Sequence, residues 1–185
     1  MHLTQRAHQI ISQCLHPGQL AVDATAGNGH DCCFLAQRVS SKGSVFAFDI
    51  QLQALQSTAA RLQQLGLSKQ VQLIHSGHEH MRNELPGDCQ GRIQAVTFNL
   101  GYLPHGDKSI TTTSSSTLPA LQQACELLHP EGIITVLAYR GHPGGLEESR
   151  AVEEQLQALA NPDQYLSTIE SPGPVLLVLA PHRHE

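Results

Sequence analysis

The sequence predicts an α/β fold, in which a doubly wound, seven-stranded and mostly parallel sheet carries helices on both faces and one antiparallel edge strand. Three observations support this prediction. Short apolar runs alternate with segments of helical periodicity. A glycine-rich turn at residues 27–29 joins the first apolar run to the helix that follows it. The last two apolar runs can pair as an antiparallel hairpin across residues 171–174.

Composition is that of an ordinary globular chain. Its 185 residues predict a single domain, residues 1–185, and 40% of them are hydrophobic while 15% are charged. No apolar run is long enough to span a bilayer, and the first residues lack a signal-peptide core, so we expect a cytoplasmic protein without membrane attachment. The five cysteines form no C-x-x-C pair, which favours reduced thiols. A formal net charge of −5 argues against strong non-specific binding to a polyanion.

The first half of the chain predicts three strands separated by helices. Thr4 can cap a first helix, which ends at the His16-Pro17-Gly18 turn, and Gly66 can end the third helix. In order, these elements are a helix with apolar positions Ala7, Ile10, Ile11, Cys14 and Leu15, a strand at 20–22, a helix at 30–39, a strand at 45–48, a helix at 51–65 and a strand at 71–74.

The second half continues the alternation and ends in the hairpin. Thr117 can cap a helix, and the polar, Ser- and Thr-rich residues before it predict a loop. The elements are a strand at 93–98, a turn at 99–104, a loop at 105–116, a helix from 117 to 128, a strand at 133–138, a helix at 146–159 and strands at 164–169 and 175–180.

Two acids and two glycines predict a nucleoside-cofactor site. Asp23 ends the first strand, and Gly27 and Gly29 open the turn before a helix N-terminus. A dinucleotide fingerprint would have a third glycine where Cys32 stands, and Asp23 would repel a pyrophosphate. That acid suits a cationic ligand such as S-adenosylmethionine, while Asp49 at the end of the second strand is placed to accept ribose hydroxyls. A nicotinamide cofactor remains the alternative.

The fourth strand ends in Asn99-Leu100-Gly101-Tyr102, which resembles the N-P-P-Y signature of amino-group methyltransferases. The carbonyl of an Asn side chain can accept a hydrogen bond from an amine and hold its lone pair towards a methyl donor, while a Tyr ring can stack on a base. Asn99 and Tyr102 are therefore predicted to act in catalysis, and Gly101 and Tyr102 in substrate binding. Alternatively, the Asn caps local backbone groups and the Tyr fills a groove.

Further polar residues follow the fourth and fifth strands. Tyr139 and Arg140 are predicted to bind substrate, with Arg140 holding a phosphate, and His142 to accept a proton from the amine. Asp107 is a second candidate proton acceptor, and Lys108 a second candidate substrate-binding residue. Alternatively, the glycines after His142 only form a turn and leave His142 solvated, and Asp107 and Lys108 form a solvated charge pair.

The twelve histidines do not predict a metal site. His78-x-His80 and His182-x-His184 are the only close pairs, and neither has acidic or Cys partners at the spacings of metal sites. We therefore expect no metal. His78 and Glu79, which follow the third strand, are placed to meet an adenine edge or the substrate.

Three motifs together resemble a small bacterial family labelled rRNA methylases. These are D-A-T-A-G-N-G-H-D from Asp23, N-L-G-Y-L-P-x-G-D-K from Asn99 and Y-x-G-H-x-G-G from Tyr139. The resemblance implies a class I methyltransferase fold, S-adenosylmethionine as cofactor and a homodimer. With the strand ends above, it predicts this cofactor site: Asp23, Thr25, Gly27, Asn28, Gly29, His30, Asp31, Asp49, Gln51, Ser76, His78 and Asn99.

The family's characterised members methylate the amine of 5-aminomethyl-uridine, usually 2-thiolated, at the tRNA wobble position. The resemblance thus implies an N-methyltransferase whose partner is the tRNA anticodon stem-loop. The alternatives are methylation of rRNA or of a small-molecule amine, a nicotinamide-dependent oxidoreductase, and a non-catalytic nucleoside-binding module. The acidic net charge conflicts with an RNA substrate unless a dimer pools Arg6, Arg82, Arg92, Lys108 and Arg140.

Overall fold

Seven strands form one sheet in the order β3-β2-β1-β4-β5-β7-β6 in the computed structural model, which describes residues 2–102 and 111–184. From β1 the chain adds β2 and β3 on one side and β4 and β5 on the other, so the order of the strands reverses between β1 and β4. The carboxyl ends of these two parallel strands therefore open a crevice. The strands are β1 (Leu20–Asp23), β2 (Ser44–Asp49), β3 (Val71–His75), β4 (Ile93–Leu100), β5 (Leu128–Ala138), β6 (Tyr165–Ile169) and β7 (Val175–Ala180).

Helices cover both faces of this sheet. They are α1 (Leu3–Cys14), α2 (His30–Val39), α3 (Leu52–Gln64), α4 (Met81–Glu84), α5 (Ser114–Leu127) and α6 (Gly145–Leu159). Side chains of β2 alternate between the two layers: Val45 and Ala47 pack in the cluster with α1, α2 and α3, whereas Phe46 and Phe48 pack in the cluster with α4, α5 and α6. The doubly wound α/β prediction is confirmed.

The reversed strand occupies a different position from the expected one. β7 is antiparallel to both β5 and β6 and lies second from the edge, so β6 forms the edge. All six residues of β7 are buried, whereas Ser167 is the one buried residue of β6 and the other four are exposed or half-buried. An apolar strand needs cover on both faces and neighbours on both sides, and the more polar β6 tolerates the exposed edge.

Some boundaries also differ from the predicted ones. α5 begins at Ser114 rather than after Thr117, because Thr113 has the extended backbone of an N-cap residue and Thr117 is buried inside the helix. α1 begins at Leu3, with His2 rather than Thr4 at the N-cap. β5 begins at Leu128, five residues before the predicted start.

β4 continues to Leu100, so Asn99 lies in the strand rather than in a turn after it. Asn99 and Leu100 continue the parallel register with Leu137 and Ala138 of β5. The strand therefore carries Asn99 rigidly to the edge of the crevice. Across residues 2–102 and 111–184, the helices are too short or too polar for any of them to cross a membrane.

Candidate functional site

The glycine-rich loop between β1 and α2 is tied to strands on both sides. The Ala24 N–H donates to the Thr97 carbonyl (2.9 Å), and the Ala26 N–H donates to the Phe48 carbonyl (2.8 Å). Gly27 and Gly29 have φ values of 52° and 79°, in the left-handed region that favours glycine. A Cβ on Gly29 would lie 2.9 Å from Thr58 Oγ1, so α3 packs directly on the loop. These contacts hold the loop open at the crevice.

Asp49 braces the same loop from the end of β2. Its Oδ2 accepts the Gly27 N–H (2.9 Å) and its Oδ1 accepts the Gln51 N–H (2.8 Å). Each carboxylate oxygen has a second lone pair, so both can still accept a hydroxyl. The Asp49 side chain is half-buried, and its two hydrogen bonds hold it in one orientation. It is therefore chemically suited to a ribose diol.

Asp23 is fully buried at the end of β1. Its Oδ1 accepts the Thr25 N–H (3.1 Å), while its Oδ2 has no hydrogen-bond partner among the described residues. Burial, followed by repulsion from Asp31 and Asp49, raises the pKa of Asp23 well above its usual range. An incompletely satisfied acid in this setting would be stabilised by a cationic ligand.

Asn99 is held by two neighbours from the β1 side of the crevice. Its backbone N–H donates to Thr25 Oγ1 (2.7 Å), and its side-chain Nδ2 donates to Asp31 Oδ2 (2.7 Å). Burial alone would raise the pKa of Asp31, but hydrogen bonds from His8 and Asn99 outweigh burial and lower it. An ionised Asp31 can only accept, so the Asn99 amide must turn its NH₂ towards it. The carbonyl Oδ1 of Asn99 then faces away from Asp31.

Gly101 and Tyr102 follow Asn99 and are held by the returning chain. The Gly101 N–H donates to Thr112 Oγ1 (2.9 Å), and the Thr112 N–H donates to the Gly101 carbonyl (3.1 Å). Tyr102 pairs with Thr111 through an isolated bridge, and the residue is 40% exposed. A partly exposed tyrosine therefore follows Asn99 at this end of β4.

Glu148 anchors this returning segment. It is 3% exposed, and its two oxygens accept the hydroxyls of Thr112 (2.9 Å) and Thr117 (2.8 Å). The Thr112 hydroxyl therefore connects α6 to the Gly101 backbone, because it donates to Glu148 and accepts from the Gly101 N–H. The sequence analysis did not identify Glu148. Its signal was an acid on the helical stripe formed by Gly145, Ser149 and Val152, which are all buried.

His142 lies against Tyr102, with ring centroids 6.0 Å apart and ring planes at 74°. Its Nδ1 lies 3.1 Å from the Pro143 carbonyl, which can only accept, so the hydrogen bond assigns the proton to Nδ1. The Nε2 atom is buried and has no hydrogen-bond partner among the described residues. Gly145 makes room for this ring, since a Cβ there would lie 2.8 Å from Nε2. His142 thus has a buried Nε2 lone pair close to Gly145, with its ring edge-on to Tyr102.

Tyr139 and Arg140 leave the end of β5 in different environments. Tyr139 is 44% exposed, hydrogen-bonds to Thr4, and has its pKa raised by burial and by the charge of Asp31. The Arg140 guanidinium contacts Glu170 (2.9 Å) and donates to the carbonyls of Ser171 (2.9 Å) and Gly173 (3.1 Å). Phosphate binding by Arg140 would therefore have to compete with an ion pair.

His78 is a buried neutral histidine behind the β1 end. Its Nδ1 lies 3.1 Å from the Ala24 carbonyl, its ring meets Phe98 edge-on, and burial lowers its pKa.

Arg61 of α3 donates to the Asn28 carbonyl (2.9 Å) and lies 3.5 Å from His30 Nε2. Gln51 begins α3 as its N-cap residue, and Ser76 lies just after β3.

Asp107 and Lys108 lie outside the described residues. The described residues contain no group of three or more His, Cys, Asp or Glu side chains arranged to hold a metal ion. Three of the arginines considered for a pooled basic patch are paired with acids: Arg82 with Glu126, Arg92 with Asp88 (3.0 Å), and Arg140 with Glu170.

Comparisons with known proteins match almost the whole length of the chain. The model of a family described as "Putative rRNA methylase" matches residues 45–171. A chloroplastic tRNA (mnm(5)s(2)U34)-methyltransferase from Arabidopsis thaliana is 41% identical over 158 residues, which are 81% of this chain. That match covers 57% of the Arabidopsis protein, so the chain spans little more than half of its length.

Two solved structures resemble the chain from end to end. A "putative rRNA-methylase" from Clostridium thermocellum is 38% identical, with a TM-score of 0.90 and 96% of each chain covered. A "putative methyltransferase" from Streptococcus mutans, solved in complex with SAH, is 31% identical, with a TM-score of 0.85 and coverage of 97% of this chain and 98% of that one.

Proposed function

Because the chain belongs to the rRNA methylase family, as its motifs predicted, we propose that it is an S-adenosylmethionine-dependent N-methyltransferase acting on tRNA. The proposed reaction methylates the amine of 5-aminomethyl-uridine or its 2-thio form at the wobble position. The observation that carries this proposal is the orientation of Asn99, whose Nδ2 is held by Asp31 so that Oδ1 can accept from an amine. The name of the Arabidopsis relative supports the same substrate.

The crevice fits the cofactor's chemistry. S-adenosylmethionine, when bound, supplies an electrophilic methyl group on a cationic sulfur. Asp23, one oxygen of which has no partner in the described part of the chain, would offset a cationic group, and Asp49 would accept ribose hydroxyls. The left-handed Gly27 and Gly29 leave the loop without side chains where a ligand approaches. The other residues proposed to surround the cofactor are Thr25, Asn28, His30, Asp31, Gln51, Ser76, His78 and Asn99.

The substrate amine would lie between Asn99, Tyr102 and His142. Asn99 Oδ1 accepts an N–H of the amine and thereby aims its lone pair, and the exposed ring of Tyr102 stacks on the base. Methylation leaves the nitrogen with one proton too many, and His142 Nε2, which has no hydrogen-bond partner among the described residues, is proposed to receive it. Gly101 and Tyr139 line the same edge, while Arg140, Asp107 and Lys108 remain predicted participants.

A small-molecule amine is the second candidate substrate. The ion pairs of Arg82, Arg92 and Arg140 leave those cations compensated, which favours a less anionic substrate than RNA. The family's description favours rRNA as a further RNA substrate.

Methyl transfer from labelled S-adenosylmethionine tests the proposal. The substrate is total tRNA from cells that lack terminal wobble-uridine methylation, and the matched control is an unmodified transcript of the same tRNA. We expect label only in the natural tRNA, recovered as 5-methylaminomethyl-uridine or its 2-thio form. Label in rRNA would reassign the substrate. Cofactor binding without label in any RNA would favour a small-molecule amine or a non-catalytic module.

We also propose that residues 1–185 act as one catalytic domain in the cytoplasm. All five cysteines are unpaired, which supports a reducing compartment. The homodimer implied by the family resemblance stays a prediction, and light scattering on the purified protein would test it.

A further inference from the structure

The first helix contacts the candidate site through Thr4, which hydrogen-bonds to Tyr139, and through His8, which hydrogen-bonds to Asp31. His8 of α1 places Nε2 at 2.6 Å from Asp31 Oδ1, while the other oxygen of Asp31 accepts from Asn99. The His8 ring is also stacked on Phe34 of α2, with ring centroids 3.8 Å apart and ring planes at 5°. Two separate contacts therefore fix the His8 side chain: the hydrogen bond to Asp31 fixes the position of Nε2, and stacking on Phe34 fixes the plane of the ring.

The contact lies in a nearly closed environment. His8, Asp31 and Asn99 line a cavity of about 10 Å³ under α1, together with Thr4, Thr97 and Thr135. That is room for about one water molecule. The side chains of His8 and Asp31 are 26% and 12% exposed, so water could replace the hydrogen bond from His8 only in part.

We propose that His8 is a positioning residue for methyl transfer, which acts through Asp31 to hold the Asn99 amide with its Oδ1 towards the substrate amine. The proposal rests on the function proposed above. His8 does not touch the amine or the methyl donor. Its action follows from Asp31 being a carboxylate with one oxygen for each partner.

Loss of the His8 N–H would change what Asp31 can do. Its Oδ1 would lose its donor on a side chain that is only 12% exposed, and the carboxyl would regain a partner by rotating or by taking a proton. A protonated Asp31 can donate to Asn99, and the amide would then flip and turn Nδ2 towards the amine. Two donors facing each other would weaken the hold on the substrate in the reactive geometry.

α1 has other anchors that keep it in place when His8 is changed. Ile10, Ile11 and Leu15 are buried in the core, and the Arg38 guanidinium donates to the carbonyls of Ser12 (2.7 Å) and Leu15 (2.9 Å). Substitution of His8 should therefore leave the fold intact.

Two variants separate the hydrogen bond from the ring contact. His8→Phe keeps a ring on Phe34 and removes the N–H, whereas His8→Gln removes the ring and keeps an N–H at similar reach. The matched control is His2→Phe, an exposed histidine at the N-cap of the same helix. The measurements are kcat and KM for aminomethylated tRNA, the Kd of S-adenosylmethionine, and the side-chain amide NMR signal of Asn99, assigned with Asn99→Ala.

We expect His8→Phe to lower kcat by about 10- to 100-fold, the scale of a misplaced reactive group, with cofactor Kd unchanged and the Asn99 amide signal shifted. His8→Gln should recover most of kcat, and His2→Phe should match the wild type. Wild-type kcat and an unmoved amide signal in His8→Phe would overturn the proposal, as would equal losses in both His8 variants. If the wild type methylates no RNA, the proposed function fails by itself, because the amide signal still reports whether His8 orients Asn99.

Discussion

Three aspartates at the candidate site show how one side chain takes three roles. Asp23 is buried with one oxygen that has no partner among the described residues, Asp31 is held ionised by His8 and Asn99, and Asp49 accepts from two backbone N–H groups. Environment, not residue type, decides which of them is chemically suited to a cation, which holds an amide, and which is suited to hydroxyls.

Asp23→Asn tests the unpartnered carboxyl through the pH dependence of stability. The folded-state pKa of Asp23 is raised above its ordinary 3.8. Its protonated form thus stabilises the fold at low pH, and that contribution is lost as pH rises through the raised pKa. Because Asn cannot ionise, the variant should gain on the wild type as pH rises above the ordinary carboxyl pKa, by up to about 1.4 kcal/mol per pH unit until the raised pKa is reached. Urea unfolding of the cofactor-free proteins measures this difference.

A difference between the two proteins that stays constant with pH would contradict the raised pKa. The same variant should bind S-adenosylmethionine more weakly at neutral pH, since it cannot offer a negative charge to a cationic group. Isothermal titration calorimetry measures that loss.

Asn99→Ala and Asp49→Ala should fail in opposite ways. Removing the Asn99 amide should lower methyl transfer by about 100-fold and leave cofactor Kd within about twofold, because the amide acts on the amine. Removing the Asp49 carboxylate should raise cofactor Kd by about tenfold or more, the value of charge-assisted hydrogen bonds to a ribose. Calorimetry and single-turnover kinetics separate the two. If both variants lost both properties, the division of roles would be wrong.

At the scale of elements, the site depends on segments distant in the chain. α6 supplies Glu148, which holds the start of α5 and the segment before it through Thr117 and Thr112. Thr112 in turn holds Gly101 at the end of β4. One buried carboxylate thus joins a strand, a returning segment and two helices at the proposed substrate side.

Glu148→Leu should destabilise the protein by about 2–4 kcal/mol, because it leaves the hydroxyls of the buried Thr117 and the half-buried Thr112 without acceptors. It should also raise KM for the RNA while cofactor Kd stays constant. The control is Glu147→Leu, an exposed neighbour on the same helix, which should change unfolding by less than about 0.5 kcal/mol. Equal unfolding free energies for the two variants would refute the anchoring role of Glu148.

At the scale of the whole molecule, an acidic chain of net charge −5 is proposed to act on RNA. Several of its arginines already have partners within the fold. Arg38 donates to carbonyls of α1 and of the turn after it, and Arg82, Arg92 and Arg140 form ion pairs. Recognition of the substrate must then rely on local contacts at the crevice more than on long-range attraction.

Ligand-dependent melting distinguishes the cofactor classes for the whole protein. S-adenosylmethionine at about 100 times its Kd should add about 2.7 kcal/mol to folding, which is about 5–11 °C in Tm for a chain of this size. Reduced nicotinamide dinucleotide at the same concentration is the control and should leave Tm unchanged. A larger shift with the nicotinamide would support the oxidoreductase alternative.

From the amino-acid sequence alone we could predict the fold class, the glycine turn with Asp23 and Asp49 beside it, and the Asn99 motif at the end of β4. These follow from periodicity and from neighbours along the chain, which act over a few residues. Four features become visible only in the tertiary structure: the edge position of β6, the pairing of His8 with Asp31, the burial of Glu148 and the ion pair of Arg140. Each depends on which surfaces of distant segments are buried against each other, and burial is what makes an unpartnered polar group costly.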